Sequence, residues 1–389
     1  MAGPVVVVAG AMANKPNNGG EAWVRLSWIR GLQRLGFDVW FVEQIDARQC
    51  TDDNGGVAAF TSSANRRWFR DVMARFGLGD RATLLCSTGE VEGAPRVELA
   101  AACSGALLVN ISGNLIDPSL RSSFSSRAYV DIDPGFTQIW QATGTRGARL
   151  EGHDHYFTIG ENIGSAGCAI PAADLHWRPV RQPVVLNDWP EVPVASRQER
   201  DADFTTVANW RGPFGPVEFD KRRFGLKVHE FRKYLELPAL VPARFEAALA
   251  IHPSEVADLE LLRSQHWRLA DPGDVAGTPD AFRTYVTGSA AEFSVAQGLY
   301  VETRSGWFSD RTTRYLAAGR PALVQDTGMG DRLPVGKGVV TFTNLTEAVA
   351  GAESILTDYD VHARAAREVA ESYFDSDLVL ARFLEVCLP

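Results

Sequence analysis

Residues 4–43 read PVVVVAGAMANKPNNGGEAWVRLSWIRGLQRLGFDVWFVE. The run 4–9 is apolar and β-branched, the pattern of a strand buried on both faces. A Gly/Asn-rich loop follows and ends at Gly19-Gly20. Beyond it Ala22, Leu26, Ile29 and Leu32 recur at helical spacing, and Gly36 stops the helix. Residues 37–42 return to a strand pattern. This β-loop-α-β unit is the start of a parallel, doubly wound sheet. More strands follow at 83–86, 106–111, 128–132 and 156–159, separated by segments long enough for crossover helices.

Prolines then accumulate at 171, 179, 183, 190 and 193, which marks an extended linker and places a hinge there. A second series begins beyond it. Strands are expected at 204–208, 245–250, 267–270 and 321–325, and helices from Lys227, over 254–264 and over 309–318. The chain is therefore read as α/β, with one domain at 1–180, a linker at 181–200 and a second domain at 201–389. The final helix is expected to pack back on the amino-terminal domain. In such sheets ligands gather beyond the carboxyl ends of the strands, so the two halves should present loops to one shared cleft.

Bulk properties agree. A chain of 389 residues, 45% hydrophobic and 22% charged, suits two folded domains. A net charge of −9 argues against nucleic acid as a partner, since phosphate-backbone affinity needs dense Lys and Arg. The five cysteines Cys50, Cys86, Cys103, Cys168 and Cys387 show no C-x-x-C spacing, so neither a disulfide framework nor a zinc site is suggested, and a reducing cytoplasm is expected. The apolar run 1–10 lacks a cationic start and is far shorter than the roughly 20 residues of a membrane span. No integral membrane segment is expected.

The most informative chemistry lies at Ser305-Gly306-Trp307-Phe308-Ser309-Asp310-Arg311, leading into a helix that ends Ala317-Ala318-Gly319-Arg320-Pro321, then a strand and the loop Asp326-Thr327-Gly328. This arrangement resembles the donor domain of GT-B glycosyltransferases, whose helix-to-strand step reads A-x-G-x-P before a short Asp/Gly loop. The resemblance implies two Rossmann-like domains facing a central cleft. It also implies metal-independent transfer of a sugar from a UDP- or dTDP-sugar to a hydroxyl of a small-molecule or glycan acceptor, with no cofactor. A helix N-terminus offers free N–H groups and a positive dipole end to the diphosphate. On the donor side Ser309, Asp310 and Arg311 are candidates, joined by Arg211 after the first strand of the second domain, by Lys227 at its first helix, and by Glu292 and Ser294. Retaining members with an E-x7-E pair would carry glutamates where this chain has Gly306 and Arg314. Asp310 is expected to take over hydroxyl binding, or else to cap the helix with Ser309.

In the amino-terminal half, Gly19, Gly20 and Glu21 form a glycine loop suited to close backbone approach, and Glu161 and Asn162 close the last strand, so both groups are acceptor-side candidates. An inverting transfer needs a base for the acceptor proton, for which Asp133, His155 and His153 are the candidates. Asp131-x-Asp133 also spells the metal-binding D-x-D of GT-A enzymes, although a GT-A fold would leave the second half unexplained. A GT-B-fold epimerase or phosphorylase, or a non-catalytic nucleotide-sugar binder, is the alternative to transfer.

Overall fold

The computed structural model describes residues 3–145, 147–191, 193, 203–212 and 214–388. The amino-terminal half is built on eight strands: β1 (Val5–Ala9), β2 (Asp38–Ile45), β3 (Ala82–Cys86), β4 (Val91–Gly93), β5 (Leu107–Ile111), β6 (Ser126–Asp131), β7 (His155–Thr158) and β8 (Trp177–Pro179). They lie in the order β4-β3-β2-β1-β5-β6-β7-β8. Only β4 runs antiparallel to its neighbour. Val6, Val7, Val8 and Ala9 are fully buried, as expected of a central strand covered by helices on both faces.

The carboxyl-terminal half holds β9 (Phe204–Asn209), a separate hairpin of β10 (Val217–Phe219) and β11 (Arg222–Phe224), then β12 (Phe245–Ala250), β13 (Arg268–Ala270), β14 (Ala291–Ser294), β15 (Ala322–Gln325) and β16 (Val339–Phe342). Its sheet has the order β13-β12-β9-β14-β15-β16. In both sheets the first strand sits at a point where the winding reverses: β1 beside β2 and β5, β9 beside β12 and β14. Loops leaving such a point diverge and open a crevice, which is where α/β sheets bind ligands.

The halves meet tightly. Helix Gly19–Arg34 starts with Glu21 N–H donating to the Asn18 side chain, and Trp23 Nε1 donates to the Pro279 carbonyl at 2.8 Å. A Cβ on Gly19 would stand 2.1 Å from the Thr278 carbonyl oxygen, so only glycine permits this approach. The closing helix Ser376–Cys387 lies against Gly19–Arg34, with Trp28 and Phe383 edge to face at 5.2 Å and Arg34 paired to Asp377 at 2.8 Å.

Part of the proline-rich stretch packs against the amino-terminal half. Trp177–Pro179 adds a strand at the sheet edge, where a proline removes no needed donor. Val184 bridges to Asp375, and Trp189 is fully buried against Trp23. Of the linker assigned to 181–200, residues 192 and 194–200 lie outside the described residues.

Candidate functional site

Between the two reversal points lies a cavity of about 780 Å³. Its walls come from the loops after β1, β2, β5 and β6 on one side and from β9, Lys227, Gln297 and the start of helix Asp310–Ala317 on the other.

Arg311 anchors the carboxyl-terminal wall. Its Nε donates to Glu292 Oε1 at 2.5 Å, Nη1 to the Val207 carbonyl at 2.6 Å and Nη2 to Ser294 Oγ at 2.8 Å. Glu292 and Ser294, expected to touch the donor, do not line the cavity. They lie two apart on β14, so their side chains share the face toward the helix, where both are buried and orient Arg311 instead. Burial opposes the charge on Arg311, yet Glu292 raises its pKa on balance.

Lys227 opens the short helix Lys227–Phe231 and faces the cavity, with no hydrogen bond or ion pair among the described residues. Burial first, and the neighbouring Arg311 second, push its pKa from 10.5 to about 7. An ammonium so placed gains strongly from an arriving anion. Ser309 and Asp310 also line the cavity. Ser309 occupies the cap position but its side chain makes no capping bond, and the Asp310 carboxylate pairs with Arg314 at 2.7 Å. Arg211 is turned away: it is exposed and clasps Glu255 through two bonds of 2.7 and 2.8 Å.

Gly306, the first position of the absent E-x7-E pair, has φ of +72°, and a Cβ there would stand 2.8 Å from Asn162 Cγ. Asn162 does not line the cavity. Its Nδ2 donates to the Arg304 and Gly328 carbonyls at 3.0 and 2.8 Å, tying the two halves together. Glu161 is likewise engaged, by Arg181 at 2.8 and 3.0 Å.

On the amino-terminal wall, Gly20, Glu21 and Asp133 line the cavity, while Gly19 is taken up by the contact with Thr278. Burial opposes ionisation of Glu21, but Arg25 and Lys15 outweigh it and hold the pKa at about 2. Asp133 is the opposite case. Burial, then the charges of Asp131 and Glu21, raise its pKa from 3.8 to about 7. A carboxylate poised near neutrality suits a general base.

The two histidines do not reach the cavity. His153 is buried, accepting from Asn110 Nδ2 at 3.0 Å and donating from Nδ1 to the Leu150 carbonyl at 2.9 Å, and burial drives its pKa to about 4. That imidazole holds a loop in place. His155 begins β7, outside the cavity lining. Asp131 accepts from the Thr137 and Thr158 hydroxyls, from Gln138 Nε2 and from the Asp133 backbone N–H, so its carboxylate is already surrounded by donors.

Several cavity residues escaped the sequence reading: Asn14, Lys15, Arg25, Ser112, Asn114 and Gln297. A signal for some existed, since Ser112-Gly113-Asn114 follows a strand at its carboxyl end as Asp133 does. Arg25 was hidden by its place within an apolar helix face.

Neither a protein-family model nor a curated protein sequence matches the chain. Solved structures do. Sucrose-phosphate synthase (tll1590) from Thermosynechococcus elongatus superposes with a TM-score of 0.55 at 12% identity, over 98% of both chains. Anabaena Alr3699/HepE in complex with UDP and glucose gives 0.57 at 10%, over 98% of this chain and 99% of that one. An alpha-glucosyltransferase in complex with UDP and a 13-mer DNA gives 0.57 at 10%, over 100% of both. The chain has the GT-B fold. The GT-B frame accounts for the full length, both sheets included, and so excludes the single-sheet GT-A reading of Asp131-x-Asp133.

Proposed function

We propose that this GT-B protein is a glycosyltransferase that moves a sugar from a UDP- or dTDP-sugar to an acceptor hydroxyl without a metal ion. The observation that carries the reading is Lys227, a cation with no counter-ion among the described residues, facing the interdomain cavity beside Arg311 and the N-terminus of helix Asp310–Ala317. In this reading those groups hold the nucleotide diphosphate. Asp133, on the opposite wall, takes the acceptor proton as the acceptor oxygen bonds to the anomeric carbon and the bond to the diphosphate breaks. Charge growing on the departing diphosphate is stabilised by Lys227 and Arg311, an effect worth roughly 3 kcal/mol for one good contact. Closure of the two walls around the donor would limit hydrolysis of the oxocarbenium-like centre.

Thermal melting with UDP and dTDP, followed by product analysis with the corresponding sugar nucleotides, tests the reading. A nucleoside diphosphate should raise the melting temperature, because a ligand bound only by the native state stabilises it. Silence from both nucleotides overturns the donor site. Isomerised donor in place of a glycoside would make the protein an epimerase, phosphate-dependent cleavage a phosphorylase, and binding without turnover a nucleotide-sugar binder.

A further inference from the structure

The amino-terminal wall carries polar groups that find no partner among the described residues. Glu43, at the end of β2, accepts the backbone N–H groups of Met12 and Ala13 at 2.8 Å each and of Asn14 at 3.1 Å, which fixes the loop after β1. The loop presents Asn14 to the cavity, and Asn14 Oδ1 has no hydrogen-bond partner among the described residues. Arg25 is 4% exposed and also lines the cavity. Its Nη1 is paired with Glu21, but its Nε has no partner among the described residues. One orphaned acceptor and one orphaned donor thus stand on the same wall. Buried polar groups left without partners are costly, which points to a ligand that completes them.

The loop after β5 is built with similar care. Asn110 accepts the Leu115 N–H at 2.9 Å and donates to the Leu115 carbonyl at 3.1 Å, with His153 behind it. Ser112 is held at φ +54°, in the left-handed region that a serine seldom adopts. Asn114 donates through Nδ2 to the Ile111 carbonyl at 2.7 Å, which leaves its side-chain oxygen to the cavity it lines.

Two features narrow the ligand. The aromatic side chains of the cavity, Phe214, Phe282, Tyr300 and Trp307, all come from the carboxyl-terminal half, so the amino-terminal wall offers no ring on which a flat acceptor could stack. Its cations are also engaged, since Lys15 and Arg25 both pair with Glu21. A neutral group that donates and accepts at once is a hydroxyl, and a row of such positions calls for several of them.

We infer that the acceptor is a neutral polyhydroxylated molecule, a sugar or a cyclitol, held by Asn14, Arg25, Ser112 and Asn114. The inference rests on the glycosyltransferase reading above and names the class of its second substrate. The test uses the full chain with a sugar nucleotide that it hydrolyses, offering maltose, methyl α-glucoside and myo-inositol against 4-methylumbelliferone and quercetin, with products read by mass. Glycosides of the polyols are expected. Ser112→Gly removes the hydroxyl while suiting the backbone, so the fold should persist; it should raise the KM for the polyol at least about tenfold, the loss of one or two hydrogen bonds, with UDP affinity unchanged. Asn114→Ala should act in the same direction. Transfer to the aromatics alone, to none of the polyols, or an unmoved KM in both variants overturns the inference while leaving UDP binding intact. Absence of UDP binding fails the donor reading itself and takes this inference with it.

Discussion

Arg314 holds the Asp310 carboxylate at 2.7 Å across one turn of helix Asp310–Ala317, with its own side chain 1% exposed. Its Nη2 reaches Ser27 Oγ, in the other half, at 3.4 Å. That helix is thereby tied to the amino-terminal half by a hydrogen bond from Arg314, which stands at the place where GT-B members with E-x7-E carry an acid.

Asp310→Asn should therefore destabilise the protein, contrary to what a simple cap would do. It leaves a buried guanidinium without its counter-charge, a loss of about 1–3 kcal/mol, kept below the value for a fully buried pair because Asp310 is partly exposed. The melting temperature should fall, and Arg314→Met in the same background should recover part of it. An unchanged melt in the single variant would show that the pair does not matter to folding.

If Lys227 meets the diphosphate as proposed, nucleotide binding should be proton-linked. With a pKa of about 7 in the free protein, the amine is largely neutral at pH 8 and is charged when a diphosphate arrives. Calorimetry of UDP binding in buffers of different ionisation enthalpy should show proton uptake at pH 8, absent in Lys227→Met, along with an affinity loss of about 10- to 100-fold. The sign for stability follows. The native state binds this proton less well than the unfolded chain between about 7 and 10.5, so this group makes the ligand-free protein more stable as pH rises through that window.

Asp133 should impose a rising limb on the pH–rate profile centred near 7, as its carboxyl ionises to the basic form. Asp133→Asn should cut kcat by roughly 10²- to 10⁴-fold with UDP affinity unchanged. His153→Gln should instead lower the melting temperature and leave the limb where it is, because that imidazole is buried in the loop support. A limb that moves in the histidine variant would transfer the base role.

Transfer should survive EDTA. The proposed reading assigns Lys227 and Arg311, which line the cavity, to the diphosphate, and the Asp131 oxygens are occupied by four donors. Loss of turnover on chelation, restored by manganese, would overturn this.

Much of the frame was legible in the chain. Runs such as Val5–Ala9 and the helical spacing of Ala22, Leu26, Ile29 and Leu32 are local patterns, and burial on one or both faces of an element follows from them directly. The extended reading of the proline-rich segment missed β8, since edge pairing depends on which strand lies beside it.

Side-chain roles split along the same line. The sequence placed Lys227, Ser309, Asp310, Arg311 and Asp133 at strand ends and helix starts, and these reach the cavity because topology sends the carboxyl ends of both sheets toward one crevice. Only the tertiary structure decided that Glu292 and Ser294 serve Arg311, that Arg211 pairs with Glu255, that His153 is a buried prop, and that Asn14 Oδ1 and Arg25 Nε lack partners among the described residues. The reason is physical. A strand or helix is fixed by residues within one or two turns, whereas the state of a charged or polar group is set by whichever group folding brings within hydrogen-bond reach, often from far along the chain.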